Sequence, residues 1–306
     1  MKTDMLSLWR YSGVVYEENT THRIVNRFRF VVAGRKNRAL FTEYVFGPLY
    51  NILTDRVKNN QRIMGFIVWP YINNKFEILE RFNNLASHYH LLIKYMKWAD
   101  LPPYRQVTIA DLNDMHKGLE IVIENAPWFI REGALNLSMM LFSDRLMSVS
   151  FSLSEDNAGL CVYVGSIQGS ATQDVVEVYK NIAASMNDLR PRDLLFKIFR
   201  IFTDSIRISN IYCVADDYRV HNHAFFDDKK SEHKKLRYDE LWRDQGGVLM
   251  EGGFYRMPAR MDERPLSDVP TKKRGRYKRR IAMFTTISEL IKANVDELGN
   301  KNSNLI

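Results

Sequence analysis

The chain has 306 residues, 45% of them hydrophobic and 26% charged, with 44 lysines and arginines against 36 aspartates and glutamates. This composition excludes a disordered chain, a collagen-like repeat and, with only Cys161 and Cys213 present, a disulfide scaffold. The net charge of +8 favours anionic partners without choosing among them. No stretch approaches the roughly 20 apolar residues of a membrane span, and the first residues lack the pattern of a signal peptide. The expected location is cytoplasmic, with peripheral association at the inner-membrane surface left open.

Residues 1–100 read as mainly helical. Phe41, Val45, Leu49 and Ile52 fall at helical spacing, with Pro48 inside the stretch. Phe76, Leu79, Phe82, Leu85 and Tyr89 mark a second apolar face, and Trp69-Pro70 separates the two. Leu101-Pro102-Pro103 reads as a linker, followed by a short helix around Ile109 to Ile123. The period then drops to two. Leu135, Leu137, Met139 and Leu141 alternate with Asn136, Ser138 and Met140, Met147 to Leu153 alternate with the serines at 148, 150, 152 and 154, and Leu160, Val162 and Val164 repeat the period. Ser143-Asp144 and Asp156-Asn157-Ala158-Gly159 supply the turns. This predicts an antiparallel meander with one buried face. Two helices follow, over Val175 to Ile182 and around Leu195 to Phe202. Then come a strand at 211–215, a polar segment holding Trp242, and a last strand near Phe254 to Met257.

The expected fold class is α+β. A mainly helical region spans 1–125, and an α+β domain spans 126–285. A carboxyl-terminal helix and tail span 286–306.

The most informative junction is Leu189-Arg190-Pro191-Arg192-Asp193-Leu194-Leu195. Pro191 suits the first position of a helix. Arg190 and Arg192 then stand at the positive end of its dipole, which a bound anion would reverse. Asp193 offers the other solution, capping the helix and pairing with the arginines itself. His88 and Asp216 are the acid–base candidates, and Gln168 and Gly169 join the two arginines as anion- or cofactor-binding candidates. The run Lys272, Lys273, Arg274, Arg276, Lys278, Arg279 and Arg280 can bind an anionic ligand, anionic lipid or an acidic protein partner. No nucleic-acid-binding signature accompanies it. His221 and His223, with Asp227, Asp228 and His233, lack four-ligand zinc spacing, so no metal is expected. Cys161 and Cys213 fall on expected strands, as small buried hydrophobes.

A meander feeding an arginine-flanked helix and then a short strand resembles the GNAT type of N-acyltransferase fold. In that fold a helix amino terminus after the fourth strand cradles the cofactor pyrophosphate. The chain keeps the first arginine of that loop and lacks both of its glycines. The likeness implies an acyl carrier or a coenzyme A thioester as cofactor.

Four stretches resemble the VirK/YbjX family of Gram-negative bacteria. They are Val164-Gly165-Ser166-Ile167-Gln168-Gly169, Leu189 to Leu195, Tyr238-Asp239-Glu240-Leu241-Trp242 with Gly246-Gly247, and Val269 to Arg280. His88-Tyr89 resembles the family's His-Tyr pair. The resemblance implies a part in virulence, envelope properties and resistance to antimicrobial peptides. Two readings stand: acyltransferase-like modification of an envelope component or peptide, and a non-catalytic adaptor held at an anionic partner by residues 272–280.

Overall fold

Period-two alternation produces one sheet in the computed structural model, which describes residues 4–16, 22–46, 53, 56–57, 60–170, 175–226, 237–258 and 265–303. Among the described residues the sheet has eight strands. They are β1 (Gln106–Asp111), β2 (Leu119–Glu124), β3 (Leu135–Leu141), β4 (Asp144–Asp156), β5 (Gly159–Gly169), β6 (Asn210–Val214), β7 (Val248–Met250) and β8 (Phe254–Met257). Their order is β1-β2-β3-β4-β5-β6-β8-β7. Every neighbouring pair is antiparallel except β5 and β6. The expected strands at 135–164, 211–215 and 254–257 are all present. The three-residue edge strand β7 was too short to register.

A hairpin replaces the helix expected over Ile109 to Ile123. β1 and β2 pair antiparallel, and the β-branched run Ile121-Val122-Ile123 is buried. Asn113 makes the turn: its Oδ1 accepts from Gly118 N at 2.9 Å, and Gly118 takes a left-handed φ of 77°. A short apolar run has no period that separates a buried strand from a buried helix. The sheet therefore opens at Gln106, ahead of residue 126.

The serine face of the meander is a second difference, because it is buried as fully as the apolar one. Ser148, Ser150 and Ser152 are all but inaccessible. Their hydroxyls are satisfied across the strands and by covering segments: Ser148 by Ser138 at 2.6 Å, Ser150 by Asn136 at 2.7 Å, Ser152 by Tyr71 Oη at 2.6 Å. Small hydroxyls paired this way avoid the penalty of unpaired buried polar groups.

The helices are α1 (Met5–Val15), α2 (His22–Lys36), α3 (Arg38–Phe41), α4 (Ile78–Tyr95), α5 (Val175–Ser185), α6 (Pro191–Ser205), α7 (Tyr238–Asp244) and α8 (Thr271–Ser303). Phe41 ends α3, while Pro48, Leu49 and Ile52 lie outside the described residues. Phe82 and Leu85 are buried on α4 as expected, whereas Leu79 is exposed. α6 sets Phe199 and Phe202 against Phe151 of β4, ring centroids 5.2 and 6.0 Å apart. Each such aromatic pair adds about 1 kcal/mol beyond its buried area. α8 is continuous through residues 285 and 286, buries Ile287 and Ile291, and reaches β1, where Asn294 Nδ2 donates to Ile109 O at 3.1 Å.

Candidate active site

β5 and β6 run side by side only from Cys161, opposite Asn210, to Val164, opposite Cys213. β5 continues to Gly169 while β6 stops at Val214, so the parallel pair parts at its carboxyl end. Ligands in sheets with parallel strands gather outside such ends, where neighbouring strands diverge.

α7 fills the root of the gap. Ile167 N donates to Tyr238 Oη at 3.0 Å, and Tyr238 donates back to Ile167 O at 2.9 Å. One turn later Trp242 Nε1 donates to Val214 O at 2.9 Å. Both ends of this seven-residue helix are held. Asp216 Oδ2 accepts from Asp239 N at 3.1 Å and Asp239 Oδ1 from Asp216 N at 2.9 Å, while Arg200 donates to Gln245 O at 2.7 Å.

A carboxyl group stands at the opened edge. The register of β4 on β5 passes from Ser150–Ser166 to Phe151–Val164, leaving Gly165 as a bulge. A Cβ there would lie 2.0 Å from Glu132 O, so only glycine lets the 131–133 segment come this close. Glu132 is buried and shares a hydrogen bond with the Gln168 side chain. His221 Nε2 lies 3.4 Å from Glu132 Oε1 and is 40% exposed, linking the buried acid to solvent. Burial raises the Glu132 carboxyl to about 7, against the lowering pull of Arg131 and Arg219. Arg219 completes the wall, its guanidinium 3.9 Å from the Tyr238 ring centroid and 3.5 Å from Asp216 Oδ1.

A family profile described as "Protein of unknown function (DUF535)" matches residues 19–293. The chain belongs to the DUF535 family. It is 22% identical over 270 residues to the uncharacterized protein YbjX of Escherichia coli strain K12, covering 85% of this chain and 79% of that one. It is 25% identical over 133 residues to an uncharacterized Haemophilus influenzae protein, covering 44% and 43% of the two chains. No solved structure matches. The DUF535 match takes in Glu132, Gln168, Tyr238 and the basic run together.

Of the expected site residues in this DUF535 chain, Gln168 lies on β5 bonded to Glu132, and Asp216 lies just past β6 against Asp239 and Arg219. Gly169 ends β5 beneath Tyr179, whose Oη would lie 2.6 Å from an added Cβ. Arg190 is the exposed N-cap of α6, with no side-chain capping bond, and Pro191 opens the helix. Arg192 Nε is buried without a hydrogen-bond partner, and Asp193 Oδ1 lies 3.5 Å away. The basic run starts α8 and meets the same corner. Arg276 pairs with Asp188 at 3.0 Å, Arg279 donates to Asn187 Oδ1 at 3.2 Å, and Arg280 donates to Asn187 O and Asp188 O. Lys272, Lys273 and Lys278 are exposed. Arg274 instead turns back to Val269 O at 2.9 Å.

His88 shares no partner with Asp216 among the described residues. It is buried on α4, its Nδ1 accepting from Leu153 N at 3.1 Å, and burial lowers it to about 3. It is therefore neutral at physiological pH. Cys161 and Cys213 are buried strand residues. Asp227, Asp228 and His233 lie outside the described residues, and no three described His, Cys, Asp or Glu side chains cluster as metal ligands. Glu132 and Arg219 were not singled out by the sequence, since neither stands in a motif and tertiary contacts alone unite them.

Proposed function

We propose that this protein is an acyltransferase-like enzyme whose proton-transfer residue is Glu132. The observation carrying the reading is a buried carboxyl, raised to about 7, where the parallel pair of β5 and β6 parts. A carboxyl tuned to neutrality is half ionised at working pH, the condition under which a general base is most effective. His221 gives that proton a route to solvent, and Gln168 holds the carboxyl in place.

The donor end of the reading rests on the α6 corner. Arg190 is exposed at the helix start with no capping bond, and Arg192 Nε is buried with only Asp193 Oδ1 near it, 3.5 Å away. These groups suit the phosphates of coenzyme A or of an acyl carrier. A bound thioester would supply an activated acyl carbon. Glu132 would take the proton of an attacking amine or hydroxyl on an envelope component or peptide, the acceptors that the family resemblance implies. The adaptor reading draws on the exposed Lys272, Lys273 and Lys278 and on Pro191, which removes one phosphate-binding N–H.

The test is release of free thiol from acetyl- and long-chain acyl-coenzyme A in the presence of peptide amines. Thiol release that is lost in Glu132→Gln, with the melting temperature not lowered, supports catalysis. No thiol release and no thermal shift with coenzyme A or acyl carrier protein would leave the adaptor reading in its place.

A further inference from the structure

α2 carries apolar side chains on both its inward and its outward side. Its inward side carries Arg27, Phe30, Val31 and Gly34. Arg27 is spent on α1, stacked 4.0 Å over Trp9 and donating to Ser12 Oγ and Trp9 O. Phe30 and Val31 are buried. The outward side carries Ile24, Val25, Phe28 and Val32, which are 63%, 50%, 60% and 51% exposed. Positions 25, 28 and 32 form one stripe at helical spacing. An ordinary surface helix is polar on its outward side.

The apolar stripe extends sideways. Met5 and Leu6 of α1 are exposed beside it, and Arg35 reaches Met5. A groove of about 520 Å³ runs along Val25, Phe28 and Val32 to Ile78 at the start of α4, bordered by Arg29 and Lys36. Leu79 next to it is also exposed.

Charge decides what this face fits. The segment His22–Lys36 contains Arg23, Arg27, Arg29, Arg35 and Lys36 and no acidic residue. Apolar side chains flanked by arginine and lysine suit the boundary between headgroups and acyl chains of an anionic bilayer. No described helix is long and apolar enough to cross a membrane, so the helix would lie in the interface rather than span it.

We infer that α2, with Met5, Leu6 and Leu79 beside it, is an interfacial docking face for an anionic lipid bilayer. It is separate from the strand-end site and from the basic run of α8. The experiment is co-sedimentation of the full chain with phosphatidylcholine vesicles, with and without phosphatidylglycerol. Binding is expected only with the anionic lipid and should weaken as salt rises. Phe28→Asp with Val32→Asp should abolish it; because Phe28 also packs edge to face on Trp9, centroids 5.5 Å apart, Val25→Asp with Val32→Asp is the matching variant expected to abolish binding at an unchanged melting temperature. Arg29→Gln with Lys36→Gln should weaken it by roughly 25-fold, a factor of about five per cation. Three results overturn the inference. One is a wild type that stays in the supernatant with anionic vesicles. The second is loss of binding in Lys272→Gln, Lys273→Gln, Lys278→Gln while the Phe28 and Val32 variant still binds. The third is a concentration-dependent dimer, abolished by Phe28→Asp, which assigns the face to a second copy.

Discussion

Tyr238 and Trp242, one turn apart on α7, repair the two strand edges that part between them. Tyr238 takes both backbone groups of Ile167 on β5, and Trp242 takes the carbonyl of Val214 on β6. Their rings meet edge to face, centroids 5.5 Å apart. Spacing of four residues puts both on one face of the helix, which explains why a tyrosine and a tryptophan bracket this segment. Tyr238→Phe keeps the ring and strips the hydroxyl, leaving a buried N–H and C=O unpaired. The expected cost is about 2 to 3 kcal/mol, read by chemical denaturation. A loss below about 0.5 kcal/mol would mean that water replaces the hydroxyl and that the gap is open.

Glu132 makes stability depend on pH in a direction opposite to that of most carboxylates. Its folded value, about 7, lies above the ordinary 4.5. Between those values the folded chain holds a proton that the unfolded chain has released. Stability therefore falls as pH rises through that window, by roughly 3 kcal/mol in total, and levels off above 7. Glu132→Gln should erase this slope. Its melting temperature should match wild type near pH 4.5 and exceed it at pH 8. Parallel melting curves for the two proteins across that range would show that the carboxyl is solvated.

His88 works in the other sense. Its folded value of about 3 lies below the ordinary 6.5, so the unfolded chain takes up a proton first as pH falls. Stability is complete above about 6.5 and is lost progressively toward 3. His88→Gln retains an acceptor for Leu153 N and cannot be protonated. It should flatten the acid limb of the stability curve, measured by denaturant midpoints between pH 4 and 7. An unchanged acid limb would place the acid sensitivity elsewhere.

The meander was legible because serines and apolar residues alternate strictly from Met147 to Ser154, and no helix accommodates that period. The start of α6 was legible because Pro191 fits one place in a helix. The β1–β2 hairpin was not. Leu119 to Glu124 is buried on both sides of the sheet, which removes the alternation that would have marked it as strand. Burial of the serine face was hidden for a related reason, since polar composition does not reveal that Tyr71, from the amino-terminal region, caps Ser152. The candidate site drew on both kinds of signal. Tyr238 and Gln168 sit in recognisable stretches. Glu132 gains its chemistry from Gly165, 33 residues away along the chain, and from His221, 89 residues away.

The basic run of α8 divides into arginines that face the protein and lysines that do not. Asn187 and Asp188 both adopt left-handed backbone, φ 56° and 59°, at the turn into α6. Asparagine and aspartate tolerate this region better than other side chains, and the turn gains outside support as well. Arg280 supplies it with a guanidinium fork on the two carbonyls, Nε to Asn187 O at 2.9 Å and a terminal nitrogen to Asp188 O at 3.0 Å. Arg279 holds the Asn187 side chain, and Arg276 pairs with Asp188 at 3.0 Å. The Arg276 pair is largely exposed and contributes little by itself, whereas charged bonds to strained carbonyls contribute more. Replacing Arg276, Arg279 and Arg280 by glutamine should therefore destabilise the chain by about 2 kcal/mol, a fall of several degrees in melting temperature. The matching change of Lys272, Lys273 and Lys278 to glutamine should leave the melt where it was. Added sulfate or phosphate should not rescue the arginine variant, because the lost bonds run to carbonyls rather than to an anion. An arginine variant that melts with wild type would free all three guanidinium groups for a bound anion and remove their role in holding the turn.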